Sequence, residues 1–402
     1  MEHQLAKSIP AKKEKQVGMI LVLGFLSALA PFAMDMYLPT LPALASDLQA
    51  STSLTQLSLT FCLIGLALGQ LIAGPISDAR GRRAPLIIGM IIFIVSSILC
   101  AFTSSIIVLI VLRLIQGLAG SVGLVVSRAI VRDYYSGNAM TKFFAVLMLV
   151  NGVAPIIAPV FGGQMLRFTP WNGVFVVLAI IGMCLLLGVI FKLPESLPRE
   201  RRKSGGLKDT FSSFQGIMKD RVFMGLSLSQ GFVFAAMFAY ISGSSFVLQE
   251  IFEVSPQVYS AIFGINSIGI VLASQLSSRL SFQFGEKKIL AIGLITAVCG
   301  SLALLLMIQL QAGLLGVLVP LFVVITSVGF VAPTSTSLAM DRQGRNAGSA
   351  SALIGLLQMG LGAIATPIVG IGGSLTATPM GLVMAVSTIC AIISYLLLAR
   401  GK

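Results

Sequence analysis

Twelve long, near-continuous apolar stretches follow one another along this chain, and few folds can hold them. They run Gly18–Leu38, Leu54–Ser77, Ala84–Thr103, Ile106–Ser127, Phe143–Leu166 and Val174–Leu193, then Val222–Leu248, Val258–Leu280, Ile289–Gln309, Leu314–Ser335, Ala347–Gly370 and Met380–Leu398. About 20 apolar residues cross a bilayer at roughly 1.5 Å per residue. A spanning segment must satisfy its own backbone hydrogen bonds, and these runs are too long for strands, so each reads as a helix. Composition agrees. Of 402 residues, 56% are hydrophobic and 10% charged, where a soluble domain carries about 25% charged residues. The lysines before Gly18 imitate a signal peptide, but the apolar run is long and leads into Asp35-Met36-Tyr37-Leu38-Pro39 instead of a cleavage site. A retained first helix is expected.

The placement of Lys and Arg sets the expected topology. All but Arg113 and Arg167 fall in the N-terminal tail or in alternate loops, around Arg80–Arg83, Arg128–Lys142, Lys192–Arg221, Arg279–Lys288, Arg342–Arg345 and the C-terminus. The opposite loops hold Arg167 with Asp47, Glu250 and Glu253. Positive charge marks the cytoplasmic side, which puts both termini inside. The net charge of +13 is then a topology signal with contact to anionic headgroups, and not a nucleic-acid footprint. The polar stretch from Glu195 to Arg221 splits the spans six and six. The expected organisation is a cytoplasmic tail (1–17), a six-helix bundle (18–193), a linker (194–221) with a surface helix near Leu207–Met218, a second bundle (222–398) and a short tail (399–402). This is an all-α membrane fold of two pseudo-symmetric bundles with a central cavity at their interface. A monomer in the lipid bilayer is expected. The chain has no Asn-X-Ser/Thr sequon, which fits a bacterial plasma membrane.

Two charges lie well inside the spans. Asp35 belongs to the first and Arg113 to the fourth, each about 10 Å below the outer end of its helix. An ionisable group at such depth costs about 2.5–3.5 kcal/mol on insertion scales and is by default functional. A carboxyl in low dielectric holds its proton, whereas a nearby guanidinium favours the ionised form. A direct or water-bridged pair balanced between these terms can exchange a proton as a cavity opens to alternate sides. The alternative is a static pair that braces the helices, although buried pairs are poor stability devices.

The string Gly74-Pro75-Ile76-Ser77-Asp78-Ala79-Arg80-Gly81-Arg82-Arg83 resembles the loop between helices two and three of the major facilitator superfamily. The resemblance implies a conformational latch of Gly74, Asp78, Gly81, Arg82 and Arg83. Gly74 is expected to allow close helix approach, and Asp78 to face the N-terminus of helix eleven near Asn346. Ala79 stands where the family often has Arg. Leu112-Arg113-Leu114-Ile115-Gln116-Gly117 resembles the helix-four motif, whose Arg is linked to proton transfer. The run Asn151 to Gly163 is similar to the helix-five motif of drug antiporters, with Pro155, Pro159, Gly162 and Gly163 in place and Ala154 and Ala158 where Gly is usual. The prolines remove backbone donors and the small residues pack closely, so a bent helix is expected. Asp35-Met36-Tyr37-Leu38-Pro39-Thr40-Leu41-Pro42, Arg128–Asp133 and Leu193-Pro194-Glu195-Ser196-Leu197-Pro198 are similar to signatures of the Bcr/CflA branch, the bicyclomycin and chloramphenicol resistance exporters. The C-terminal half matches mainly in span pattern.

What the resemblance implies is drug:proton antiport by alternating access, with Asp35 as proton carrier and Arg113 as its partner. Export of a sugar or amino-acid derivative by the same fold is the alternative. Tyr37, Gln116, Asn151, Phe234, Phe238, Tyr240, Asn266 and Gln358 are the aromatic and amide residues within spans expected to line a substrate cavity, where ordinary helix packing is the competing explanation. Trp171 is expected at the membrane interface. Enzymatic catalysis is not expected, because the spans offer no nucleophile with a base. The single His3 and five scattered cysteines make neither a metal site nor a disulfide framework. No nucleotide-binding loop occurs, so no cofactor is expected and the proton gradient supplies the energy.

Overall fold

A computed structural model of the chain describes residues 13–135, 137–202, 215–341, 343, 347–371, 373 and 376–399. Twelve long helices follow in order. The first six are α1 (Lys13–Asp35), α2 (Thr52–Arg80), α3 (Arg83–Phe102), α4 (Ile106–Tyr134), α5 (Gly137–Met165) and α6 (Gly173–Lys192). The second six are α7 (Arg221–Phe246), α8 (Pro256–Phe284), α9 (Glu286–Gln309), α10 (Gly313–Met340), α11 (Ala347–Gly370) and α12 (Thr378–Ser394). Eleven are long and apolar enough to cross a membrane among the described residues, and α5 adds a shorter apolar run, Leu149–Met165. Large apolar side chains such as Phe102, Phe191 and Leu315 stand exposed, as a lipid-facing surface requires.

The ends of the helices are written into the local sequence. The Ser51 hydroxyl accepts the Leu54 N–H at the start of α2, and the Ser255 hydroxyl accepts the Val258 N–H at the start of α8. Each helix then runs 29 residues. Each stops at a glycine with positive φ, Gly81 at 91° and Gly285 at 85°, a conformation L side chains avoid. The two halves thus repeat one unit. Inside the first half, α2 and α4 approach backbone to backbone: a Cβ on Gly65 would sit 2.3 Å from the Leu114 carbonyl, and one on Gly117 2.2 Å from that of Cys62. Helices in lipid gain no hydrophobic drive for association, so such small-residue contacts carry the packing.

Three expectations change here. A Cβ on Gly74 would meet Val125 at 4.0 Å, an ordinary contact, so the close approach expected there occurs higher on α2, at Gly65 and Gly69. Trp171 is buried in protein instead of facing lipid as an anchor: its indole Nε1 donates to Asp47 at 2.7 Å and its ring packs edge-on against Phe175. Third, α4 continues past Ser127 to Tyr134 and carries Arg128 and Arg132 with it. The surface helix expected at Leu207–Met218 lies outside the described residues except for its last turn, where Ile217 is buried.

Candidate functional site

Helices α1, α2, α4 and α5 face α7, α8, α10 and α11 across a cavity of about 450 Å³. Met34, Leu63, Met237, Ile270 and Val328 give it an apolar wall, and Phe234, Phe238, Tyr240 and Phe263 stand on the second half. Polar groups are few: Asp35, Gln70, Arg128, Asn151, Ser267 and Ser274, with the Tyr240 hydroxyl. A mostly apolar concavity with a few placed polar groups is the usual form of a small-molecule site.

Asp35 is the last residue of α1 and lines this cavity, buried yet with no hydrogen-bond or ion-pair partner among the described residues. Arg113 is fully buried on α4. Its Nη1 donates to the Ala33 carbonyl at 3.0 Å and to Gln116 Oε1, while Nε and Nη2 are left without partners. The guanidinium carbon lies 4.8 Å from the centre of the Tyr37 ring and 5.7 Å from that of Phe175, in the range of cation–π attraction. The matched depths of the sequence reading therefore hold, but no direct ion pair joins the two. Arg113 grips the backbone of α1 two residues before Asp35 and leaves the carboxylate to the cavity.

That grip reassigns two of the residues expected at the substrate surface. Gln116 is buried between Arg113 and the Ser97 hydroxyl, which accepts from its Nε2 at 2.7 Å. Tyr37 is buried behind Arg113 with its hydroxyl 2.9 Å from that of Ser58. Both position the arginine instead of lining the cavity. Asn266 also stands back from the wall: its amide donates to the Tyr240 hydroxyl at 2.9 Å and orients that ring. Gln358 is half-buried outside the lining, where its neighbour Met359 takes the place. Asn151, Phe234, Phe238 and Tyr240 do line the cavity, and Asn151 is held by donating to Ser27 Oγ at 2.9 Å and the Leu147 carbonyl at 2.8 Å.

At one end of the first half, the loop between α2 and α3 is tied down. Arg82 donates from Nε to Asp133 at 2.9 Å, and from Nη1 to Asp78 and to the Ser77 hydroxyl. Glu195 accepts the backbone N–H of Arg82 at 2.8 Å and of Arg83 at 3.1 Å, and Ser196 donates to Asp133 at 2.7 Å. Partial burial raises the Glu195 carboxyl, but the N–H groups of Leu197, Arg82 and Arg83 and the Arg202 guanidinium outweigh it and hold it below the usual glutamate range. Gly81 earns its place: a Cβ there would fall 2.6 Å from Glu195 Oε2. Asp78 pairs with Arg82, and its expected neighbour Asn346 lies outside the described residues.

The opposite end is where the halves are joined. Gln56 donates to the Ser242 carbonyl at 3.1 Å, Ser245 to that of Leu38 at 2.7 Å, Gln249 to that of Pro39 at 3.3 Å and Gln257 to that of Gly163 at 2.8 Å. The α5 motif takes part directly, since a Cβ on Gly163 would lie 2.2 Å from Ser260 Oγ of α8 and one on Gly162 2.0 Å from the Met36 carbonyl. Pro155 and Pro159 remain inside α5, and the Pro155 carbonyl accepts from Ser267 of α8 at 3.4 Å. From the central cavity the space widens the other way, past Arg128 and Arg132, into a vestibule of about 760 Å³. This state is sealed at the Pro39 end and open on the side of the Arg82 loop.

The sequence reading missed Arg128, Phe263 and the sealing glutamines. The apolar run breaks at Arg128, which reads as the start of a loop, although Ala129-Ile130-Val131 continues it.

The profile of the Major Facilitator Superfamily matches residues 23–367. The chain belongs to the major facilitator superfamily. It is 43% identical over 395 residues to an uncharacterised MFS-type transporter, YdgK of Bacillus subtilis, covering 98% of each chain. It is 29% identical over 376 residues to a bicyclomycin resistance protein homolog of Haemophilus influenzae, covering 94% of each. It is 28% identical over 384 residues to Multidrug resistance protein D of Escherichia coli, covering 93% of this chain and 95% of that one. Among solved structures, a bacterial homolog of the human lysosomal transporter Spinster, inward-facing and unoccupied, superposes with a TM-score of 0.74 at 16% identity, covering 97% of this chain and 98% of that one. The chain is thus a transporter of the major facilitator superfamily, a multi-pass membrane protein and not an enzyme. In this transporter the seal and the tied loop stand at opposite ends of the cavity.

Proposed function

We propose that this protein exports amphipathic, drug-like molecules in exchange for protons by alternating access. The observation that carries the reading is Asp35: a carboxyl with no partner among the described residues, in the wall of an apolar, aromatic-lined cavity, two residues after the Ala33 carbonyl that Arg113 holds. An ionisable group kept in such a place exchanges protons with whatever space the cavity meets. In the state described, Asp35 gives its proton to the side of the Arg82 loop as the drug loads. After the halves rock, it takes a proton from the other side as the drug leaves. Just beyond Asp35, the Leu38 carbonyl accepts from Ser245 of α7 and the Pro39 carbonyl from Gln249 just past its end, and these bonds seal the far end. A change of charge at Asp35 therefore acts close to the joint that must open.

The apolar wall favours amphipathic molecules over sugars, which need a denser set of hydrogen-bonding groups. Bicyclomycin and multidrug resistance in the names of the relatives support the same choice. We place the protein in the bacterial inner or plasma membrane as a monomer, with the Lys- and Arg-rich side and both termini cytoplasmic. The proton gradient is its energy source, with no cofactor. Asp35→Asn tests this directly. In proteoliposomes with an imposed pH gradient, the variant is expected to insert normally and to lose proton-driven export. Export at the wild-type rate removes the proposed role.

A further inference from the structure

Two arginines of α4 stand in the open space with no partner for their charge among the described residues. Arg128 lines both the central cavity and the vestibule, and Arg132, one turn on and on the same helix face, lines the vestibule. Neither has an ion-pair or hydrogen-bond partner among the described residues. The described residues of the facing wall from α10 and α11 are Met340, Ser351, Ala352, Gly355 and Leu356, none of them acidic. The carboxylate in the central cavity is Asp35, and it is remote. Gly123 of α4 packs at the level of Leu26 of α1. Counting about 1.5 Å per residue from that level puts Asp35 and Arg128 roughly 20 Å apart along the helix axes. That exceeds the screening length of about 8 Å in physiological salt.

Two cations in a concave wall of low dielectric focus a positive potential on the space they enclose. A guanidinium with all its donors free takes a carboxylate through two parallel bonds. We propose that the vestibule is an anion-selective loading site: Arg128 and Arg132 draw in and orient amphipathic substrates that carry a carboxylate or a similar compact anionic group, and they repel permanent organic cations. The apolar body of such a molecule passes on to Phe234, Phe238 and Phe263, while its acidic end stays with Arg128. This deepens the export reading and rests on it for the word substrate. The potential itself does not.

The experiment therefore has two arms. In the first, Ala352→Cys places a thiol in the vestibule of protein whose Cys184, Cys299 and Cys390 are replaced by Ser. Its rates with a sulfonate and a trimethylammonium methanethiosulfonate are each normalised to a free thiol. The anionic reagent is expected to be favoured about tenfold at low salt, with the preference gone at about 1 M salt, where screening acts within roughly 3 Å. The pair Arg128→Gln/Arg132→Gln is expected to abolish it. No preference, or one that survives in the Gln pair, overturns the proposal. In the second arm, proteoliposomes are offered tetramethylrhodamine, which bears a carboxylate, and its methyl ester, which is a cation. The wild type is expected to move the acid at least fivefold faster, and the Gln pair to lose that margin. Equal transport of both dyes by the wild type overturns the assignment of substrate class. If neither dye moves while the reagent preference holds, the anion-attracting vestibule stands and the export reading falls.

Discussion

Arg113 carries five N–H donors, and the described contacts use only those on Nη1. A lysine would keep the charge but not the planar fork that lies over Tyr37 while reaching the Ala33 carbonyl and Gln116 together. Arg113→Lys is expected to lower drug-stimulated proton release from purified protein to about a tenth or less, each tenfold being about 1.4 kcal/mol, with normal insertion. Release at the wild-type level would separate Arg113 from coupling. Glu195 offers a second test. Its folded-state carboxyl is held below the unfolded value, so its anchoring of the loop is fully present above that value and is lost as pH falls through the folded one. Glu195→Gln is expected to melt below the wild type at neutral pH. The gap should close as the pH drops below about 4, under the reference value near 4.3. A gap constant with pH would mean that the charge contributes nothing. The depth of Asp35 and Arg113 was legible from the sequence because each is a lone charge in an apolar run. Their partners were not, since Arg113 binds a backbone carbonyl, and every residue has one of those.

Helix boundaries decide which side chains reach the cavity. The twelve spans were legible as apolar runs, but α4 outlasts its run, and with it Arg128 moves from an expected loop to the cavity wall. An apolar run reads as ended where cations cluster, as at Arg128 and Arg132, whereas the hydrogen-bond ladder of a helix runs on through them. Gln116 and Tyr37 show the converse. They sit in spans with the chemistry of substrate contacts, yet they point at Arg113, and helix rotation is weakly encoded when both faces are apolar. Close packing at α5 yields the element-scale prediction. Gly163→Val puts atoms where Ser260 Oγ and the Pro256 carbonyl of α8 now lie. The substitution is expected to wedge α5 from α8 and shift the population toward opening at that end, read as longer distances between spin labels on the loops after α5 and before α8. Unchanged distances would mean that the small residue is dispensable there.

At the scale of the whole molecule, every hydrogen bond described between the halves lies at or above the cavity, and none lies on the vestibule side. The cap-and-glycine frame of α2 is repeated at α8, so the two halves are built alike. All the donors that cross are neutral amides or hydroxyls, and all the acceptors are backbone carbonyls. Screening acts on charges, so the proportion of sealed molecules is expected to stay the same between about 50 mM and about 1 M salt, measured by labels across that end. A marked salt dependence would point to an ionic lock. The repertoire of the seal has one more consequence. Water can replace each amide-to-carbonyl link one for one, so parting the halves strands no charge and leaves no group unanswered. A barrier assembled from interchangeable partners has no preference of its own for either membrane face, so nothing in the seal itself sets a direction of transport.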